Sequence, residues 1–345
     1  MNRRRLLKSL ALSPLWWTAR AFASNTTLVS AFGPPPELVR RVYAAGPPAS
    51  VLAYCLAPEK LLGWPYQLSD QALALLPAHE KNLPLVGRLA GRGSTMGHEK
   101  LMAMRPDVIL DVGTVNATYL SAAEQVAAQT GIRYVLMDGD LQESPAQLRM
   151  AGEILHAQPR AELLAAHARA ILDHAARARE RYAQDAPRPT VYLARSADGL
   201  ETGLAGSIHG QAFSMAGARN VAHTRASSGV GRISMEQLLA WNPDYIFTQN
   251  PAFIRHARQS PLWAQVRAVK ERRLYLTPML PFGWLDAPPG INRLLGLHWL
   301  IDIFSNDGRP SAQIDDFIVE FFRVFYRIDA TADLLAEARN ARHDP

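Results

Sequence analysis

The chain has 345 residues, 48% of them apolar and 20% charged, with a formal charge of +6, a balance suited to a water-exposed globular protein large enough for two cores. Residues 1–23 hold five basic side chains (Arg3, Arg4, Arg5, Lys8 and Arg20) and no acid, so the charge of the remainder is only +1 and a nucleic-acid partner is not expected. A single cysteine, Cys55, excludes an internal disulfide and any multi-thiolate metal site.

The basic start, the apolar run Leu10 to Trp17 and the small-x-small ending Ala21-Phe22-Ala23 read as an export signal, residues 1–23. Arg3-Arg4 gives it twin-arginine character, with Leu6 where phenylalanine is common, and the general secretory route stays open. The apolar run is shorter than the ~20 residues a bilayer span needs, and no membrane span is expected in the mature chain.

From residue 24 the pattern alternates apolar runs with helical stretches, which predicts an α/β fold. Strands are expected at 27–32, 51–56, 107–112 and 133–138, and helices at 36–45 and 116–129, the latter closed by Gly131. This first lobe covers 24–144. Residues 145–187 form a connecting region dominated by one helix from about Pro159 to Gln184, with Leu163, Leu164, His167, Ile171, Leu172 and Ala175 on its apolar face. His167 and His174 lie seven apart on it, a spacing that ordinary packing explains. The second lobe, 188–345, is expected to hold strands at 190–194, 244–248 and 273–276 and helices at 210–215, 235–241, 289–304 and 312–326.

One unit occurs twice. Glu99-Lys100-Leu101-Met102-Ala103-Met104-Arg105-Pro106-Asp107-Val108-Ile109-Leu110 is matched, at a constant offset of 137, by the run from Glu236 through Asn242-Pro243-Asp244 to Phe247. Each copy reads as an acidic residue, a short amphipathic helix, a Pro-Asp turn and a buried strand, so two matched lobes are implied. At the head of a helix each glutamate is favoured by the helix dipole, and a carboxylate offered once per lobe could equally seat in arginine sockets of a two-subunit partner.

The repeated unit, with Pro84-Leu85-Val86-Gly87, Gly217-Ala218-Arg219-Asn220-Val221 and the run Trp284-Leu285-Asp286-Ala287-Pro288-Pro289-Gly290-Ile291-Asn292-Arg293-Leu294-Leu295-Gly296, resembles the periplasmic binding proteins for ferric siderophores, haem and cobalamin over residues 27–305. The resemblance implies the class III fold, two three-layer α/β lobes joined by a long rigid helix. It implies a periplasmic, monomeric component of an ABC importer, with Glu99 and Glu236 docking onto the permease dimer that works with its ATPase. The expected cargo is a metal chelate, a ferric siderophore foremost, with haem, cobalamin or a small nickel or cobalt complex as alternatives. The run from Pro281 to Pro289 is similar to the branch associated with iron or nickel chelates.

The ligand cleft should lie between the lobes at strand ends. The first lobe offers Trp64, Tyr66, Arg88 and Arg92, and the second offers Arg195, His209, Arg232, Phe282, Trp284 and Asp286. Aromatics would stack on a flat chelator and arginines would match an anionic one, although Trp64 and Trp284 equally suit a lobe core and the arginines a solvated surface. His79, His98, His209, His223 and His256 are scattered, which argues for an intact chelate over a bare ion held by several protein ligands. No intrinsic cofactor is expected. A secreted enzyme is the remote alternative, since there is no Gly-x-Ser-x-Gly elbow, no His-Glu-x-x-His pair and no partnered cysteine nucleophile.

Overall fold

Parallel strands flanked by helices on both faces must be apolar throughout, and the central runs of both halves are of that kind. The computed structural model describes residues 28–90, 93–184, 187–223 and 229–343, so the expected export signal and Arg92 lie outside the described residues. In the first half, β1 (Val29–Phe32), β2 (Val42–Ala44), β3 (Val108–Gly113) and β4 (Arg133–Asp138) form a sheet in the order β1-β4-β3-β2. Its last three strands are parallel, and β1 runs antiparallel to β4.

In the second half, β5 (Thr190–Ala194), β7 (Arg219–Asn220), β9 (Tyr245–Thr248), β10 (Leu274–Leu276) and β11 (Arg342–His343) pair in the order β11-β10-β9-β5-β7. Here β11 is the antiparallel edge. A separate antiparallel ribbon joins β6 (Glu201–Gly203) to β8 (Val230–Arg232).

The repeated Pro-Asp turn has the same structural task in both sheets. Arg105 and Asn242, equivalent at the offset of 137, both close their helix in the left-handed region, with φ of 48° and 44°. The aspartate two residues later then secures the neighbouring parallel strand. Asp107 accepts from the backbone N–H groups of Arg40 and Arg41 at 2.7 and 2.8 Å, just before β2. Asp244 accepts from the N–H and hydroxyl of Thr190 at 2.8 and 2.7 Å, at the first residue of β5. Replacing Asp244 by alanine removes the two bonds from Thr190 and an exposed ion pair with Arg267 at 2.7 Å, and should cost about 2 kcal/mol after allowance for partial exposure, read as a lower denaturant midpoint with an unchanged slope.

The expected strand at 51–56 is instead part of a helix, Pro47–Leu56, buried at every residue from Ala49 to Leu56. An unbroken apolar run carries no periodicity that separates a strand from a helix buried all round. Pro47 and Pro48 in its first turn favour the helix, since the N–H groups they lack are unbonded there in any case. The expected helix at 36–45 is replaced by an irregular segment and β2, which Asp107 draws onto the sheet. Helices at Asp70–Leu75, Ser144–Ile154, Pro251–Gln259 and Ala332–Arg339 complete the layers beside those expected from the pattern.

The connecting helix runs from Gln158 to Gln184, about 40 Å at 1.5 Å per residue. Its buried face carries Ala161, Leu164, Ala165, Ala168, Ile171, Leu172, Ala175 and Ala178. Leu163, placed on that face by spacing alone, is 47% exposed, because small alanines let the helix approach its neighbours on a slightly rotated face.

The expectation of two separate cores needs correction. Each sheet has an apolar cluster of its own, around Tyr43, Ile109 and Tyr134 in one half and around Tyr192, Ile246 and Trp263 in the other. The opposite faces share one continuous cluster that passes from Val42 and Val108 through the connecting helix to Val191 and Phe247. The physical reason is that the C-terminal helical segment, Ile314–Phe321 and on to Tyr326, returns to the first half, where the Tyr54 hydroxyl donates to the Tyr326 carbonyl at 2.7 Å. Among the described residues, no helix is long and apolar enough to cross a membrane.

Candidate ligand cleft

Three of the candidate residues meet at the carboxyl end of the second sheet. Arg195 follows β5 directly, and its N–H donates to the Glu201 carbonyl at 2.8 Å, which holds the β6 ribbon against it. Its Nε donates to Asp286 Oδ2 at 2.7 Å and its guanidinium to Glu201 Oε1 at 2.9 Å. On the other carboxylate oxygen, His209 Nδ1 lies 2.8 Å from Asp286 Oδ1. Asp286 is fully buried. Burial alone would push its carboxyl up, but the hydrogen bond and charge of His209 and the Arg195 cation more than offset it, so the group sits below the usual carboxylate range. An ionised carboxylate can only accept, so His209 Nδ1 carries the proton and Nε2 is left as the free edge of the ring.

The loop that carries Asp286 is clamped by Gln249, just after β9, whose amide donates to the Asp286 carbonyl at 2.5 Å. Gly283 makes that approach possible, since a Cβ there would lie 2.4 Å from both the Gln249 amide nitrogen and the Asp286 carbonyl oxygen. The ends of β5, β9 and β10 thus converge on a concavity of about 240 Å³, lined by Arg195, Glu201, Gln249, Asn250, Met279 and Ala287.

Other candidates have different places. Trp64 is buried and donates from Nε1 to the Glu80 carbonyl at 2.9 Å; its ring and that of Phe282, 5.8 Å apart, pack with Tyr54 and Tyr326. Trp284 is fully buried against Trp299 and donates to the Leu280 carbonyl. These three aromatics are core groups and not a stacking platform, because Tyr54, the returning Tyr326 and Trp299 pack over them. Tyr66, half-buried, packs on the same cluster, and burial pushes its phenol up. Arg88 donates to the Gly93 carbonyl at 2.8 Å and shapes its own loop. Arg232 is exposed on β8 and pairs with Asp198.

Glu99 and Glu236 are both exposed at the heads of their helices, His98–Ala103 and Met235–Trp241. Hydrogen bonds from its own N–H and from Ser234 hold the Glu236 carboxyl below its ordinary range, so the capping role is realised there. His174 of the connecting helix stacks on His298, which stacks in turn on Phe317, beside a second concavity of about 260 Å³. Burial, helped by His174, pushes the His298 imidazole down to about 3. Among the described residues, no group of three or more His, Cys, Asp or Glu side chains is placed to hold a metal ion.

Residue-by-residue reading missed Glu201, Gln211, Gln249 and Arg293. Arg293 had a signal: a lone cation inside the apolar run Ile291 to Leu297 must find partners if it is buried. It is buried, and burial lowers its guanidinium to about 10 against the opposing charges of Asp286, Asp140 and Asp138.

Two largely parallel sheets with flanking helices, joined by one long helix, define a class III binding protein. The family model described as "Periplasmic binding protein" matches residues 67–279, and the chain belongs to that family. It is 27% identical over 136 residues to the molybdate-binding protein MolA of Haemophilus influenzae, a match that covers 39% of this chain and only 38% of that relative. Among solved structures, an ABC transporter solute-binding protein from Sulfurospirillum deleyianum is similar with a TM-score of 0.77 and 28% identity, over 87% of this chain and 94% of the other. MolA bound to molybdate has a TM-score of 0.67 at 20% identity, over 87% and 96% of the two chains. A periplasmic heme-binding protein from Pseudomonas aeruginosa has a TM-score of 0.61 at 24% identity, over 80% and 96%.

Proposed function

We propose that this protein is the solute-binding component of an ABC importer, exported from the cytoplasm, and that its cargo is a compact metal chelate engaged through His209. The carrying observation is the set Asp286, His209 and Arg195. A carboxylate behind an imidazole fixes the tautomer and raises the basicity of the far nitrogen, which is the usual support for a metal-ligating histidine. Arg195, paired with Asp286 and Glu201, holds the supporting carboxylate in place behind the imidazole. The neighbouring concavity of about 240 Å³, which Arg195 lines and His209 does not, lies below the ~300–1,000 Å³ common for larger ligands and favours a small cargo over haem or cobalamin. Glu99 and Glu236, exposed and equivalent by the repeat, would dock onto the two permease subunits.

Molybdate is a second reading, favoured by the likeness to MolA and by Arg195. Against it, Glu201 and Asp286 already take the Arg195 donors and would repel a free dianion. Titration calorimetry with nickel–histidine, a ferric catecholate and sodium molybdate separates the two. A chelate should bind, and His209→Ala should weaken it about 100-fold, as loss of a metal-orienting group does. Tight molybdate binding that survives His209→Ala but not Arg195→Ala would overturn the chelate reading.

A further inference from the structure

Among the described residues Arg293 has no acid in direct contact; its hydrogen bonds run to main-chain carbonyls of both halves, with a long one of 3.4 Å to Gln211 Oε1. Its NH1 donates to the Ile208 carbonyl at 2.5 Å, its NH2 to the Gly139 carbonyl at 2.5 Å, and its Nε to the Gly290 carbonyl at 3.0 Å. Ile208 immediately precedes His209, and Gly139 immediately follows β4 of the first sheet. A second side chain reads the same turn: Gln211 donates to Asp140 Oδ1, and its carbonyl oxygen accepts from the Leu141 N–H at 2.8 Å.

We propose that Arg293 is a positioning residue that, together with Gln211, fixes the two lobes in one relative arrangement by tying the peptide before His209 and the start of the helix after it to the Gly139–Leu141 turn. The physical basis is geometric and electrostatic. A guanidinium presents its donors in a rigid fork, so three carbonyls at its edges define one arrangement of the elements that carry them. A cation fully removed from water tolerates the loss of any of those carbonyls poorly, so the lobes cannot separate without rehydrating it. Gly290, whose Cβ would lie 3.3 Å from Pro48 of the first half, leaves room for the close approach that the fork requires. The shared apolar cluster gives cohesion, whereas the fork gives register.

The test uses the full mature chain with spin labels at Tyr119→Cys and Leu262→Cys, exposed sites on opposite lobes; Cys55 is fully buried and stays unlabelled. Distance distributions are compared for the otherwise wild-type chain, Arg293→Lys, which keeps the charge but not the fork, and Gln211→Ala, which keeps the guanidinium and its three carbonyl bonds but removes the Gln211 ties to Asp140, Leu141 and Arg293. Both variants should keep the wild-type circular dichroism, and the inter-lobe distribution should become about twice as wide in Arg293→Lys and less so in Gln211→Ala. Should Arg293→Lys fail to fold, Gln211→Ala carries the test alone. A folded variant of either kind with the wild-type distribution would overturn the proposal. The cargo arm rests on the function proposed above: nickel–histidine affinity should fall about tenfold in a variant whose competent arrangement is populated a tenth of the time. Failure of the wild type to bind nickel–histidine counts against that function and leaves the distance result standing.

Discussion

Asp286→Ala should abolish cargo capture and lower stability by about 3–5 kcal/mol, the usual effect of breaking a buried ion pair by removing one member. The carboxylate holds both His209 and Arg195, each at under 3 Å, and its removal leaves a partly buried guanidinium with Glu201 as its remaining acidic partner among the described residues, while His209 loses its tautomer restraint. Asp286→Asn keeps the shape and separates the two effects. Because the folded carboxyl lies below its unfolded range, its contribution is complete above the ordinary aspartate value of about 3.9 and is lost as pH falls through the folded value. The stability difference between wild type and Asp286→Asn should therefore be constant from neutral pH down to that range and shrink below it. A difference that shrinks as pH rises would contradict the assignment.

The double variant Glu99→Ala, Glu236→Ala should lose transport while keeping cargo affinity, with only a small fall in thermal midpoint from the lost Glu236 cap. Both carboxylates are exposed and neither touches the Arg195 site, so removal changes what the protein presents and not what it holds. Each single variant should retain part of the uptake, because one lobe still seats. The measurement is uptake of a radiolabelled chelate by cells whose only copy of the protein is the variant. Undiminished uptake by the double variant would refute the docking role.

Much of this was legible in the residues because repetition is a strong signal. The 137-residue offset located two equivalent strand-and-turn units, and the structure adds what the Pro-Asp turn is for: Asp107 and Asp244 secure the strands beside their own. Arg195, His209 and Asp286 were recognisable as polar groups at loop positions after strands. The aromatic candidates misled because position in a loop says nothing about what covers it. Trp64, Phe282 and Trp284 are buried by Tyr54, Tyr326 and Trp299, of which Tyr326 belongs to a segment remote in sequence, and only tertiary contact decides such cases. The helix at Pro47–Leu56 failed for a related reason, since burial on all sides erases periodicity. Arg293 was visible as an anomaly in an apolar run, but its role depends on carbonyls 85 and 154 residues away in the chain.

We propose that an intact metal chelate is captured at the Arg195, His209 and Asp286 site. Native mass spectrometry of the protein purified from the compartment into which it is exported, alongside His209→Ala, tests it most directly. The account predicts an adduct whose mass equals one metal ion plus an organic ligand, depleted in the variant. A bare ion or a molybdate adduct, present equally in both proteins, would contradict it.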